Sequence, residues 1–345
     1  MPKLWKKCLS LCLCAGMVLG MLTACGGGKT QTPTESAATE PAEEAKVLKV
    51  LTLGHSLAVD AGHMLNLVCG TEGTGDYEEI RIATLYHSGC RLSQHVDFLT
   101  NNSPEYNLYI SSSLTPAKPP ETLDAVTMFD ALRYDYWDII VMMGNPWEID
   151  DDSGFTSGNI QTIQAYVNDN KLNPLAIYAW HMPWAMPADV DLLNMYPYSP
   201  NPHYDNYLAY GLNKSAHYEA QVDCVKRHIL TDETFRFVIP TGTTIQNAWS
   251  SYLEESDLHR DYAHASDLGR IMTSYTWYCM LMGIDQLEQL KLDAIPKAFL
   301  KSTEDKTQDK VLTDMEKAII LESVNNALKN PMEMTQSQYT EAPTQ

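Results

Sequence analysis

Short apolar runs rich in β-branched residues recur through most of the chain, and a stretch with helical spacing follows each of them. The runs cover residues 47–53, 80–85, 137–143, 175–180 and 235–240. The helix-like stretches cover residues 58–68, 160–167, 216–229 and 266–282, and a last one follows Thr313 and ends near residue 328. Strands that alternate with amphipathic helices favour a parallel sheet with helices packed on its faces. The predicted fold class is therefore α/β, a three-layer α/β/α domain with a central parallel sheet.

This alternation predicts one domain over residues 47–331. No linker rich in Pro, Gly and Ser interrupts these residues, and their number fits a single α/β domain with long loops. Residues 25–46 are rich in Gly, Thr, Pro, Ala and Glu without an apolar period, which is typical of a flexible tether. Residues 332–345 are expected to form a disordered tail.

The first 24 residues have the layout of a signal peptide. Three lysines precede a short apolar stretch, which ends in Leu22-Thr23-Ala24-Cys25. This ending resembles a bacterial lipobox, in which Cys25 would carry the lipid. An ordinary secreted protein and a retained transmembrane helix are the alternatives, although the apolar stretch is shorter than the span of about 20 residues that a bilayer needs. The expected location is the bacterial cell membrane, with the lipid-anchored domain facing the extracytoplasmic side.

The chain is strongly acidic, with 24 Lys and Arg against 44 Asp and Glu and a net charge of −20. Nucleic acid is not expected as a partner, because its binding depends on Lys and Arg that neutralise phosphates. The acidic stretch 148–154 lacks the alternating carboxylates and closing Glu of a calcium loop. A solvated loop is the favoured interpretation, and no metal is predicted.

Four cysteines remain in the predicted domain, at Cys69, Cys90, Cys224 and Cys279. They are far apart and form no C-x-x-C pair, so zinc ribbons and thioredoxin-like redox sites are not supported. One or two disulfides and free buried thiols both remain open.

The loop after the first apolar run places a serine where ligands bind in open parallel sheets. Gly54-His55-Ser56 follows that run directly, and such sheets bind ligands outside the carboxyl ends of their strands. Ser56 could be an exposed nucleophile close to the N–H groups of a helix start. It could equally be only the N-cap of that helix.

A second candidate pair lies near the other end of the domain, just before a long helix. Asp261 and His264 are three residues apart, a spacing at which a carboxylate can hold one imidazole nitrogen while the other faces a nucleophile. The same spacing is also common in hydrogen bonds at helix starts.

Two further loops, Gly89 after the second run and Asn145 after the third, complete a set that resembles the SGNH (GDSL-type) hydrolases. The order Ser, Gly, Asn and D-x-x-H carries the resemblance. Its wider features lie at 238–248, Gly269-Arg270, Trp277 and 327–331, and they resemble a branch of the superfamily known mainly as uncharacterised bacterial proteins. The resemblance covers residues 47–331 and implies a flavodoxin-like α/β/α fold.

The resemblance also implies roles for single residues. Ser56 would be the nucleophile, His264 the general base and Asp261 the carboxylate that orients it. The N–H groups of Ser56 and Gly89, with the Asn145 side chain, would form the oxyanion hole. The chain departs from the family at His55, where Asp or Asn is usual, and the block around Asn145 aligns loosely. No cofactor is implied.

Aromatic residues are dense between residues 178 and 218, where rings could stack on sugar faces or pack beneath a long loop. Trp184 is the ring that is expected to contact the substrate.

The function expected from the sequence is ester hydrolysis outside the cytoplasm, on a small-molecule or glycan ester, with a carbohydrate O-acyl esterase as the narrower hypothesis. The alternatives are a non-catalytic glycan-binding lipoprotein and an O-acyltransferase that uses the same triad.

Overall fold

A seven-stranded sheet forms the centre of the domain, with the strand order β4-β3-β2-β1-β5-β6-β7. The computed structural model describes residues 45–186, 213–261, 263–301 and 307–342. The strands are β1 Val47–Gly54, β2 Glu79–Tyr86, β3 Tyr106–Ser112, β4 Glu121–Val126, β5 Ile139–Met142, β6 Ile177–His181 and β7 Phe235–Ile239. The five strands predicted from the apolar runs are all present, and β3 and β4 are additional.

The five predicted strands pair in parallel, in the order β2-β1-β5-β6-β7. Only β3 and β4, at one edge, add antiparallel pairs. Strand β1 sits between β2 and β5, so that Val50 pairs with Ile82 on one side and Ile139 on the other. The chain leaves β1 first toward β2 and later returns to its opposite side, which is the doubly wound order with a crevice at the carboxyl end of β1. The predicted α/β class is confirmed.

Helices cover the sheet. They are α1 Ser56–Gly62, α2 Leu65–Glu72, α3 Leu92–Asn101, α4 Met128–Tyr134, α5 Asp152–Thr156, α6 Asn159–Asn170, α7 Lys214–Cys224, α8 Thr241–Ala248, α9 Glu255–Leu258, α10 Asp267–Met282 and α11 Asp314–Lys329. A π-helical segment, Val225–Ile229, continues α7. The two long C-terminal helices begin where expected, because Ser266 and Thr313 cap them with their hydroxyl groups.

The core lies on both faces of the central strands. Val50, Leu51, Ile140 and Val141 have no exposed surface, as expected for parallel strands covered by helices on each side. Gly54 ends β1 where space is short: a Cβ there would lie 2.8 Å from the sulfur of Met143 and 2.9 Å from the Cβ of Ala58. A glycine at this point lets α1 pack closely against the end of β1.

The C-terminal segment differs from the disordered tail expected for residues 332–345. Through residue 342 it has a defined path along α8 and α11. Thr335 N–H donates to the Asn247 side chain at 2.7 Å, and the carbonyl of Tyr339 accepts from Tyr252 N–H at 2.8 Å. These partners satisfy the backbone of a segment whose composition alone gives little reason for order.

Residues 1–44 lie outside the described part of the chain, and with them the predicted signal peptide, Cys25 and most of the tether. From residue 46 onward the chain forms one unit. Among the described residues, no helix is both long and apolar enough to cross a bilayer. The four cysteines of the domain are free and buried, which answers the question the sequence left open.

Candidate active site

The loops that follow β1, β2 and β5 meet at the carboxyl edge of the sheet and carry Ser56, Gly89 and Asn145. Gly54 of β1 pairs with Tyr86 of β2, and Leu53 pairs with Met142 of β5, so the three strands end at the same level. The three loops therefore open on the crevice of the doubly wound sheet.

Ser56 is the first residue of α1, and its neighbour His55 is the N-cap. The His55 Nδ1 accepts from Leu57 N–H at 3.4 Å, while Nε2 lies 3.5 Å from the carbonyl of Gly144. His55 thus occupies the capping position and bridges the loops after β1 and β5. The alternative role considered for Ser56, that of the N-cap, falls to His55, and the partly exposed Ser56 follows it in the first turn.

His55 is uncharged over the pH range in which most enzymes work. Burial lowers its pKa to about 4, against the opposing effect of its hydrogen bond to Gly144, and the charge of His264 lowers it further. The last contribution also means that His264 lies within electrostatic range of the residue next to Ser56.

Asp261 and His264 form a hydrogen-bonded pair. The Nδ1 atom of His264 lies 2.9 and 3.0 Å from the two carboxylate oxygens of Asp261. The same carboxylate accepts from the backbone N–H groups of Ala263 at 2.9 Å and His264 at 2.8 Å. Because the carboxylate accepts at Nδ1, it favours the tautomer whose Nε2, on the opposite edge of the ring, can take a proton.

The environment keeps Asp261 charged. Partial burial acts to raise its pKa, but hydrogen bonds from the His264 ring and from two backbone N–H groups outweigh burial and hold that pKa well below its usual range. The carboxylate is therefore a permanent acceptor for the imidazole.

Asp60, which the sequence reasoning missed, ties α1 to the loop that carries Asp261 and His264. Its carboxylate has 1% exposure and accepts from Arg260 Nη1 at 3.0 and 3.1 Å. It also accepts from Arg270 Nη2 at 2.8 Å and Nε at 3.0 Å, and from Ala265 N–H at 3.0 Å. The element that begins with Ser56 is thus fastened directly to the residues on both sides of the Asp-His pair.

Gly89 and Asn145, predicted to share the oxyanion hole, are in contact. Asn145 Nδ2 donates to the carbonyl of Gly89 at 3.2 Å, and its Oδ1 accepts from Trp147 N–H at 3.1 Å. Gly89 has a φ of +59°, a conformation that strains most other residues. A primary amide has two N–H groups, so this contact leaves Asn145 a second donor.

Trp184, which was expected to contact the substrate, is buried in the structure. Its ring has no exposed surface, and its Nε1 donates to the carbonyl of Ala263 at 2.7 Å. A ring buried in this way offers no face to a sugar and instead supports the loop between Asp261 and His264. Most of the aromatic stretch around it, residues 187–212, lies outside the described residues.

The acidic loop 148–154 is less solvated than expected. Glu148 and Asp150 are 5% and 3% exposed, and the Glu148 carboxylate accepts from Leu92 N–H at 2.9 Å. Over the described ranges, no group of three metal-ligating side chains is arranged to hold an ion.

Residues 49–296 match the family model of DUF4886, a domain of unknown function. The chain belongs to the DUF4886 family. A crystal structure of a DUF4886 family protein from Bacteroides uniformis aligns with a TM-score of 0.66 at 20% identity, covering 86% of this chain and all of the other. This structural similarity supports the α/β fold described above.

A candidate SGNH hydrolase from Slackia heliotrinireducens aligns with a TM-score of 0.41 at 14% identity, over 68% of this chain and all of its own. That similarity is too low to bear on the DUF4886 domain described here. No curated protein matches the chain.

Proposed function

We propose that this DUF4886 domain is a serine ester hydrolase of the SGNH (GDSL-type) class, with Ser56, His264 and Asp261 as its triad. The observation that carries the proposal is the Asp261–His264 pair, whose loop is bound through Asp60 to the helix that begins at Ser56. A solitary helix-start hydrogen bond would not require this attachment.

The reaction follows from the roles of the three side chains. Ser56 Oγ attacks the ester carbonyl and transfers its proton to Nε2 of His264. The tetrahedral intermediate then expels the alcohol, which takes that proton, and an acyl-Ser56 ester remains. Water attacks this ester and loses a proton to His264, and the second tetrahedral intermediate then releases the acid while His264 returns that proton to Ser56 Oγ. No cofactor takes part in these steps.

Three donors are suited to the negative oxygen of the tetrahedral intermediate. They are the N–H groups of Ser56 and Gly89 and the second amide N–H of Asn145. Donors that are already fixed when the charge develops stabilise the transition state without reorganising. The contact between Asn145 and Gly89 fixes two of the three relative to each other.

The charge of the chain favours a neutral substrate. At a net charge of −20, the protein would repel phosphates and anionic lipids. An uncharged acylated carbohydrate remains the narrower proposal for the substrate. It no longer has the support of Trp184, whose ring is buried.

The proposed location depends on Cys25 and the lipobox-like ending before it. The domain would be held outside the cytoplasm by a lipid on this residue, and Cys25→Ser should move the protein from the membrane fraction to the soluble fraction. A variant that stays with the membrane would favour an uncleaved leader as the anchor.

Turnover of short aryl esters and acetylated glycans by the full-length protein tests the function. Wild type should hydrolyse at least one of these esters, and Asp261→Asn should lower its kcat by about 10²–10⁴-fold because the imidazole loses its orienting carboxylate. Ser93→Ala, which changes an exposed serine at the start of α3, is the matched control and should keep full activity.

Two outcomes would contradict hydrolysis. Tight binding of a glycan without turnover of any ester would support the binding lipoprotein instead. Formation of a new ester on an added alcohol, with little free acid released, would support the acyltransferase.

A further inference from the structure

The Asp60 carboxylate joins three elements that the proposed reaction must keep in register. Asp60 is in the second turn of α1, after Ser56. Arg260 and Ala265 flank the Asp261–His264 pair, and Arg270 lies in the first turn of α10. All three partners converge on one buried carboxylate, from positions at least 200 residues away in the chain.

The two arginines contact Asp60 in different ways. Arg270 presents Nε and Nη2 to one carboxylate oxygen, at 3.0 and 2.8 Å, and its Nη1 holds Asp267 at 3.0 Å. Arg260 uses a single nitrogen, Nη1, for both oxygens of Asp60 and for the carbonyl of Ala265. Charge-assisted hydrogen bonds of this kind are short and directional, so they fix orientation as well as distance.

The loop is closed at its base by backbone contacts. Arg260 N–H donates to the carbonyl of His264 at 3.0 Å, and His259 and Ala265 form an isolated antiparallel bridge. These contacts link the described residues of the loop, 259–261 and 263–265, to one another, and Arg260 and Ala265 connect them to α1 through Asp60. A movement of this loop would carry Asp261 and His264 away from Ser56 together.

We propose that Asp60, Arg260 and Arg270, here named the Asp60 clamp, are positioning residues that set the distance and angle between Ser56 and His264. This inference rests on the proposed function. The clamp touches neither substrate nor reacting atoms, and acts through His264. Its effect is on the rate of the chemical step, because a displacement of about 1 Å between reacting groups can cost about 10²-fold in rate.

Asp60→Asn in the full-length protein tests the clamp. The amide keeps the size of the side chain but offers one acceptor oxygen in place of two and turns an NH2 group toward the arginines. The expected result is a fall in kcat of about 10²-fold with KM changed by less than about threefold, since substrate contacts stay in place. Amide hydrogen exchange in residues 259–265 should become faster while exchange in β1 stays slow.

Asp135→Asn is the matched control. Asp135 also accepts from two cationic side chains, Lys49 at 2.5 Å and Arg81 at 2.6 Å, but its side chain is 13% exposed against 2% for Asp60, and it lies at the amino edge of the sheet. It should lower thermal stability without changing kcat. If Asp60→Asn fails to fold, Arg270→Lys decides the question, because one ammonium group cannot replace the three guanidinium nitrogens that hold Asp60 and Asp267, and kcat should still fall by about tenfold.

The outcomes separate the two claims. Full kcat in Asp60→Asn or Arg270→Lys, beside an active wild type, would overturn the clamp and leave the hydrolase proposal standing. An equal loss of kcat in Asp135→Asn would show that the effect reports stability only, and would also overturn the clamp. A wild type that turns over no ester would overturn the hydrolase proposal, and the catalytic role of the clamp with it.

Discussion

Two neighbouring residues after β1 have different places at the start of α1. His55 caps α1 with its ring and bridges to Gly144, whereas Ser56 occupies the first helical turn. The family that the sequence resembles usually has Asp or Asn at the His55 position. A neutral imidazole there caps the helix without placing a negative charge next to the proposed nucleophile, Ser56.

Trp184 is expected to act on stability and not on substrate choice. Trp184→Ala should reduce the free energy of unfolding by about 3–5 kcal/mol, because it removes a fully buried ring. Trp184→Phe keeps most of the volume but leaves the carbonyl of Ala263 without its donor, at a cost of about 1–3 kcal/mol. Urea denaturation followed by circular dichroism measures both.

Activity should follow stability in these variants. Folded Trp184→Phe should lose activity toward an aryl acetate and a carbohydrate ester by the same factor. A loss confined to the carbohydrate ester, with unchanged stability, would restore Trp184 as a substrate contact and contradict its assignment to the core.

The strands that the sequence predicts are those that are buried on both faces. The parallel strands are apolar because helices cover both of their faces, so each stood out as a run. Strand β3 instead alternates buried Tyr106, Leu108 and Ile110 with partly exposed residues, and the edge strand β4 is mostly exposed. Neither strand has a continuous apolar run, and both were missed.

The candidate site shows the same division. The D-x-x-H spacing predicted the Asp261–His264 contact, because both partners lie within one turn of chain. The contact between Gly89 and Asn145 was implied by the family resemblance, which assigns both residues to the oxyanion hole, and they follow β2 and β5 on either side of β1. The pairing of Asp60 with Arg260 and Arg270 joins residues about 200 positions apart, and no local pattern encodes it.

The segment after Pro331 contributes to the stability of two helices. Besides the contacts at Thr335 and Tyr339, Ser337 N–H donates to Ser250 Oγ at 2.8 Å and Gln338 N–H to Glu322 at 3.1 Å. Deletion of residues 332–345 should lower the melting temperature, since it removes several hydrogen bonds that each contribute about 1 kcal/mol to the free energy of unfolding. Ser337→Ala should have a small fraction of that effect. An unchanged melting temperature after the deletion would contradict a structural role for the segment.

At the scale of the whole molecule, buried histidines make the fold sensitive to acid. Of the nine histidines in the described ranges, five are buried: His55, His95, His181, His217 and His259. Burial lowers the pKa of His55 to about 4 and those of His95, His181 and His259 to about 3, and it also lowers the pKa of His217. The folded protein therefore keeps neutral imidazoles that the unfolded chain would protonate.

Stability should fall as the pH drops from about 6.5 toward 4. In this window the unfolded state binds more protons than the folded state, and each such histidine costs up to about 1.4 kcal/mol per pH unit. Urea midpoints at pH 7.5, 6 and 5 measure the slope. His95→Gln should make the dependence of stability on pH less steep, by the amount that one bound proton contributes. A urea midpoint that stays constant down to pH 5 would contradict the burial of these histidines in the neutral form.

If Ser56 is an activated nucleophile, the full-length protein should react covalently with a fluorophosphonate at this residue. An activated serine displaces fluoride from this reagent, and peptide mapping by mass spectrometry locates the phosphonylated residue. The expected result is one label per chain on Ser56, no label on Ser56→Ala and much slower labelling of Asp261→Asn. Labelling of Ser56→Ala to the same extent as wild type, or a wild type that stays unlabelled, would contradict it.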